Sequence, residues 1–189
     1  YGAVVGWTFR PPLMTAPGAE GYEMIGRSDG GFAGGVLPLT AQMQAGGARP
    51  GWLGYFAVAD VDASVAKLRD LGGGVIMAPF DIPMVGRLAL VTDPQGNPFY
   101  LMRRAMMATS DVFAEEPGLG RCGWNELMTP DLEPALAFYA DLLDLRVNER
   151  MDMGPELGPY CFLDAGEKRV GAAMQGEPAA HPIESRAAP

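Results

Sequence analysis

An α+β fold assembled from repeated βαβββ modules is what this sequence predicts, and three observations carry the prediction. The first is an internal repeat. Tyr1–Pro50 and Tyr139–Pro189 align at an offset of 138 positions, with Tyr1 on Tyr139, Val4-Val5 on Leu142-Leu143, Trp7 on Leu145 and Tyr22 on Tyr160. The copies differ by about one residue, which a single gap absorbs, and a period this long means duplicated domains rather than a solenoid. The second is the order of local patterns between the copies: strand, helix, then three strands. The third is the run "DPQGNPFYLM" at 93–102. Asp-Pro opens a turn there, Gly96-Asn97 closes it where positive φ is tolerated, and an apolar strand follows.

Taken in order, "WLGYFAVADV" (52–61) reads as a strand. Asp62 is expected to cap a helix over "ASVAKLRDL" (63–71), with Val65 and Leu68 on one face and Gly72–Gly74 ending it. "GVIMAPFDI", "GRLALVTD" and "PFYLMRR" follow as strands, so a βαβββ module runs from about 51 to 105. Residues 106–120, "MMATSDVFAEEPGLG", have the acidic, Gly/Pro-containing character of a linker. A second complete unit starts with the strand "CGWNELMT". Its helix places Leu132, Leu136, Tyr139 and Leu143 at helical spacing, with Asp131 as the cap. "RVNERMDM", "PYCFLD" and "RVGAAM" complete it as strands. The organisation expected is therefore a first domain at 1–105 that lacks its first strand and part of its first helix, a linker at 106–120, and the first half of a second domain at 121–189.

Composition narrows the function classes. With 14 basic and 23 acidic residues the formal charge is −9 and the pI is near 4.5. An acidic chain with no basic stripe is ill suited to nucleic acid or an anionic membrane. No apolar run approaches the roughly 18 residues of a membrane span, and no signal peptide is visible, so a cytoplasmic location is expected. Cys122 and Cys161 read as reduced, small core residues. His181, the only histidine, lies in the polar connector "EPAAHPIESRAAP" and reads as solvated. The methionines at 14, 24, 43, 102 and 174 read as core filler.

The elements "VADVDASVAKLRDLGG", "VTDPQGNPFYLMR" and "WNELMTPDLEPALAFYADLLDL" resemble the vicinal oxygen chelate superfamily, the group of glyoxalase I, extradiol dioxygenases and bleomycin-resistance proteins. "WNELMT" with "GYFAVADVD" looks most like a two-domain glyoxalase-like subgroup labelled as hydroxylases. The resemblance implies paired βαβββ modules curling into cupped mixed sheets, two tandem domains, and a ligand held in each cup, often around a divalent metal. It also implies where metal ligands would stand. The last-strand ligand follows the Asp-Pro-x-Gly-Asn turn, which in this sequence is Tyr100. The first-strand ligand lies seven residues before the aspartate that begins the helix, which gives Leu53 from Asp60 and Trp124 from Asp131. The corresponding last-strand regions elsewhere are "FAGGVLPL" and "RVGAAM".

A catalytic divalent metal needs about three ligands from His, Cys, Asp or Glu. Leucine, tryptophan, small residues and a neutral tyrosine do not supply them, so no metal cofactor is expected. Side chains two apart share a strand face, which groups Leu53 with Tyr55, Tyr100 with Met102, and Cys122 with Trp124 and Glu126. Leu53, Tyr55, Tyr100, Met102, Trp124 and Glu126 are therefore the candidate ligand-binding residues. Glu126 is an acid in a strand that otherwise reads as buried, where it would need a partner or a raised pKa. The expected function is a metal-independent small-molecule binding protein, monomeric or dimeric, holding a hydrophobic or aromatic ligand. The alternative is a metal-dependent lyase, isomerase or dioxygenase/hydroxylase of the same superfamily, with ligands in segments outside this sequence. A third is a domain kept as a scaffold for dimerisation. By the repeat, the sequence reads as the interior of a longer chain, with roughly 18 residues before it and roughly 55 after it.

Overall fold

The structure, a computed structural model, describes residues 1–12, 19–105, 110–114 and 118–176. Two modules repeat one topology. In the first, β4 (Tyr55–Ala57) leads into α3 (Val61–Asp70), followed by β5 (Gly74–Ile82), β6 (Gly86–Thr92) and β7 (Pro98–Arg104). In the second, β8 (Asn125–Thr129) leads into α4 (Leu132–Leu143), then β9 (Leu145–Asp152), β10 (Pro159–Ala165) and β11 (Lys168–Gln175). The strand orders are β4-β7-β6-β5 and β8-β11-β10-β9. In each, the first strand runs parallel to the last while the others are antiparallel. These are the mixed sheets that the family resemblance implies.

The N-terminal segment supplies α1 (Gly2–Val5), β1 (Thr8–Arg10), β2 (Glu23–Gly26) and β3 (Phe32–Val36), the strands pairing antiparallel in the order β1-β2-β3; α2 (Ala41–Ala45) follows. The 138-residue offset carries α1 onto the end of α4, β1 into β9 and β2 into β10. Register agrees as well. Thr8 pairs with Gly26 and Phe9 with Ile25, as Arg146 pairs with Asp164 and Val147 with Leu163. Even the bulge repeats, between Ile25 and Gly26 in one copy and between Leu163 and Asp164 in the other. The single gap falls in the hairpin. Gly26 pairs with Phe32 across five residues, whereas Asp164 pairs with Arg169 across four.

Helix α3 is capped by Asp60, whose carboxylate accepts from the Ala63 amide at 3.0 Å. The expected cap, Asp62, sits inside the first turn and instead binds Arg87 at 2.6 and 2.8 Å. Asp60 wins because its extended backbone (φ −144°, ψ 115°) aims its side chain back at the first turn. Asp131 holds the cap position of α4, but its side chain makes no cap hydrogen bond. On α4, Leu132, Leu136 and Tyr139 are buried as the spacing requires, with Leu142 buried ahead of the half-buried Leu143. Val61, Val65 and Leu68 of α3 join these residues, Val91, Phe99 and Leu101 in one hydrophobic cluster spanning both modules. Each such side chain contributes about 1.5–3 kcal/mol on burial. Cys161 is fully buried in it, as expected, whereas Cys122 is only half-buried; both are free thiols. Met174 is buried and Met24, Met43 and Met102 are half-buried, while His181 and Met14 lie outside the described residues.

The turn before β7 ties the two modules together. Asp93 is 2% exposed. Its Oδ1 accepts from the Gln95 and Asn97 amides, and its Oδ2 accepts from Asn97 Nδ2 and the Tyr139 hydroxyl of α4. Gln95 reaches further. Its Oε1 accepts from Thr129 Oγ1 at the end of β8 and from the Asp131 amide, while its Nε2 donates to the Asp131 carbonyl. Asp111 and Gly120 contact the N-terminal sheet. Arg27, 3% exposed, donates to Asp29, Asp111 and the Phe32 carbonyl, and Trp7 Nε1 donates to the Gly120 carbonyl.

Candidate ligand-binding site

The faces of β4 and β7 away from the helices bring two expected residues together. Tyr55 pairs with Tyr100 across the parallel strands, and their rings stack at 4.3 Å and 10° between planes. Phe99 and Leu101 point the other way into the core, so alternation leaves Tyr100 and Met102 on the open face. Tyr55 remains 55% exposed, so one broad aromatic surface faces solvent. Leu53 lies ahead of β4, not within it. The expected strand at 52–61 pairs only over Tyr55–Ala57, and Leu53 is 37% exposed.

A third phenol joins them from the N-terminal sheet. Tyr22 lies over Gly35, where an added Cβ would fall 1.8 Å from its hydroxyl. Tyr22 also feels the Tyr100 phenol electrostatically. Its only signal in the sequence was its match to Tyr160 in the repeat. Partial desolvation of the hydroxyl first, then the neighbouring Tyr100 and Tyr22 phenols, raise the Tyr55 hydroxyl above the usual tyrosine value. Burial likewise raises Tyr22 and Tyr100. At neutral pH the cluster therefore presents uncharged hydroxyls.

Trp124 and Glu126 form a separate group on the second sheet. Trp124 Nε1 donates to the Tyr160 hydroxyl at 3.0 Å, and that hydroxyl donates to Glu126 Oε2 at 3.2 Å. Glu126 is exposed rather than buried, because β8 is an edge strand whose open face is covered only by its own neighbours. The partner it needs is Tyr160, again visible in the sequence only through the repeat.

Strand register locates the metal-ligand positions implied by the resemblance. Glu126 pairs with Ala172 as Tyr55 pairs with Tyr100, so Ala172 stands where Tyr100 does. With the hairpin gap, Gly35 is its counterpart on β3. Leu53, Tyr100, Trp124, Ala172 and Gly35 offer no imidazole, thiolate or carboxylate, and the donor set does not fit a divalent metal. Among the described residues no group of three or more His, Cys, Asp or Glu side chains could hold one.

The phenols make a testable contribution to stability. Tyr22, Tyr55, Tyr100, Tyr139 and Tyr160 all have raised pKa values, each with burial as the leading cause. The folded protein keeps protons that the unfolded chain releases above pH ~10. Their stabilisation is whole below that pH and is lost as pH rises through the folded values. Phenolate absorbance during alkaline titration is expected to appear late and together with the loss of circular dichroism. Early, unfolding-independent ionisation of five tyrosines would contradict the clustering.

Comparison with known proteins agrees with this architecture. Residues 118–187 match the family model described as Glyoxalase/Bleomycin resistance protein/Dioxygenase superfamily. The chain is 34% identical over 155 residues to "Anthracycline biosynthesis protein DauV" of Streptomyces sp. (strain C5), covering 77% of this chain and 54% of that protein. It is 31% identical over 175 residues to "Putative glyoxylase CFP32" of Mycobacterium tuberculosis (strain CDC 1551 / Oshkosh), covering 93% of this chain and 64% of the relative. It thus spans between half and two thirds of the length of these relatives. A solved mutant of 4-hydroxymandelate synthase from Streptomyces coelicolor shares the fold, with a TM-score of 0.52, 14% identity, and coverage of 88% of this chain and 55% of that one. No helix among the described residues is long and apolar enough to cross a membrane. Residues 118–187 thus match the glyoxalase/bleomycin resistance protein/dioxygenase superfamily, and the two βαβββ sheets and these relatives extend the likeness along the chain.

Proposed function

We propose that this chain binds a hydrophobic or aromatic small molecule, without a metal, on the face where Tyr55 and Tyr100 stack and Tyr22 approaches. The observation that carries the reading is the stacked pair with Tyr55 more than half exposed. A planar ligand laid on that surface would add a third aromatic layer and remove apolar area from water. The neutral hydroxyls would donate to its oxygen atoms, fixing its orientation. A relative named for anthracycline biosynthesis makes fused-ring aromatics reasonable first probes. The donor set at the family's ligand positions supports the metal-free part of the reading.

The test pairs elemental analysis with calorimetry, using naphthol against cyclohexanol on protein purified without chelator. The expected result is no stoichiometric divalent metal, binding of naphthol, and about tenfold weaker naphthol binding in Tyr55→Ala. Stoichiometric metal would transfer the reading to a metal-dependent lyase, isomerase or dioxygenase. Equal affinity for naphthol in wild type and Tyr55→Ala would place any ligand elsewhere.

A further inference from the structure

The second sheet carries a corner of different chemistry, separate from the tyrosine stack. Trp124 and Tyr160 both meet the Phe162 ring nearly at right angles, with centroids 6.1 and 5.3 Å away and interplanar angles of 76° and 82°. The Trp124–Tyr160 hydrogen bond locks two of the three rings, and the Glu126 carboxylate is held against the Tyr160 hydroxyl. Across the sheet, one row runs Glu126, Ala172, Phe162. Ala172, 1% exposed, lies in that row between the acid and the aromatic ring and is covered by its neighbours. Trp124, at 41% exposure, leaves its side open.

Nearby cations are already committed. Arg169, the cation beside Phe162, binds Asp164 and Glu149, while Arg150 lies with Cys161 on the helix-facing side of the sheet and binds Glu133. Among the described residues, none forms an ion pair with Glu126. The corner nevertheless tolerates positive charge against its rings, because the Arg169 guanidinium carbon sits 4.3 Å over the Phe162 centroid. Aromatic faces attract cations through their negative π-surface, and an adjacent carboxylate adds direct attraction. A formal charge of −9 favours the approach of cations to the molecule as a whole.

We infer that Trp124, Tyr160, Phe162 and Glu126 form a binding site for a small organic ammonium, with the aromatic rings as walls and Glu126 as counter-ion. A flat hydrophobic ligand would need no carboxylate here. An anion would meet Glu126 as a like charge. An ammonium with apolar substituents satisfies both halves of the corner at once.

The experiment is calorimetric titration of the chain at low salt with choline and with 3,3-dimethylbutan-1-ol, in which carbon replaces the charged nitrogen. Choline is expected to bind in the millimolar range and about tenfold more tightly than its neutral isostere. Glu126→Gln, an isosteric change at an exposed position, should weaken choline about fivefold or more while leaving the alcohol unaffected. Asp70→Asn, the same loss of charge at the end of α3, and Tyr55→Ala should leave choline binding unchanged. Equal binding of choline and the alcohol would overturn the inference, as would no choline binding at about 50 mM. An equal loss in Asp70→Asn would reduce the effect to net charge and overturn it too. Circular dichroism of each variant separates loss of binding from loss of fold.

Discussion

Replacing Asp93 with alanine is expected to cost about 3–5 kcal/mol of folding stability. The carboxylate has four hydrogen-bond partners and almost no exposure to water. Alanine would strand the Gln95 and Asn97 amides of the turn and the Tyr139 hydroxyl together, and each buried unsatisfied group costs about 1–3 kcal/mol. Tyr139→Phe removes one bond to the carboxylate and leaves the turn intact, so about 1.5–3 kcal/mol is expected. Asp93→Asn keeps an acceptor for the turn and should fall below the alanine variant. Urea unfolding midpoints at constant m-value would give this order. Because Asp93 belongs to one module and Tyr139 to the other, wild type should unfold in one transition. Separate transitions for the two sheets, or an Asp93→Ala midpoint equal to wild type, would show that the turn does not join them.

That hub also shows what sequence can and cannot convey. "DPQGN" is readable as a turn because its residues solve a local backbone problem. The strands around it, Gly74–Ile82 and Pro98–Arg104, have the bounds that apolar alternation and flanking turn residues imply. The repeat was legible in the described strands, whose copies preserve register with a one-residue gap taken up in the hairpin. Asp93 reaching Tyr139 is another matter. The two lie 46 positions apart, and neither residue's neighbours encode how α3 and α4 pack. The same limit explains the site. Tyr55 and Tyr100 could be placed on one face from alternation, whereas Tyr22 comes from a different sheet and Tyr160 from a different strand. Their only sequence signal was mutual alignment. Leu53 was misplaced for a local reason: glycines at 51 and 54 flank it, and pairing starts only at Tyr55. The cap was assigned two positions too late, to Asp62, because two aspartates flank the helix start and only the extended backbone at Asp60 selects between them.

Gly171→Ala tests the strand pairing that holds the Trp124–Glu126 corner, and about 3 kcal/mol of destabilisation is expected. Gly171 pairs with Asn125 in the parallel β8–β11 ladder. A Cβ there would lie 2.1 Å from the Asn125 carbonyl oxygen and 2.9 Å from its carbonyl carbon. These are backbone atoms, so no rotamer change can relieve the contact. β8 would have to move away from β11, weakening the ladder and the Asn125 Nδ2 bond to the Val170 carbonyl. Glu126 and Trp124 flank Asn125 directly, so the movement also draws them from Tyr160 and Ala172. Gly123→Ala is the matched control, since among the described residues its Cβ would meet the Ala114 carbonyl oxygen at an ordinary 3.7 Å. It should change stability by no more than about 0.5 kcal/mol. Unfolding midpoints report the strand, and the Trp124 indole proton resonance reports the hydrogen bond to Tyr160. A lower midpoint with an unmoved indole signal would mean that the corner is held by its rings alone. Loss of both would make β8, through the close approach permitted by Gly171, the element that sets the geometry of that corner.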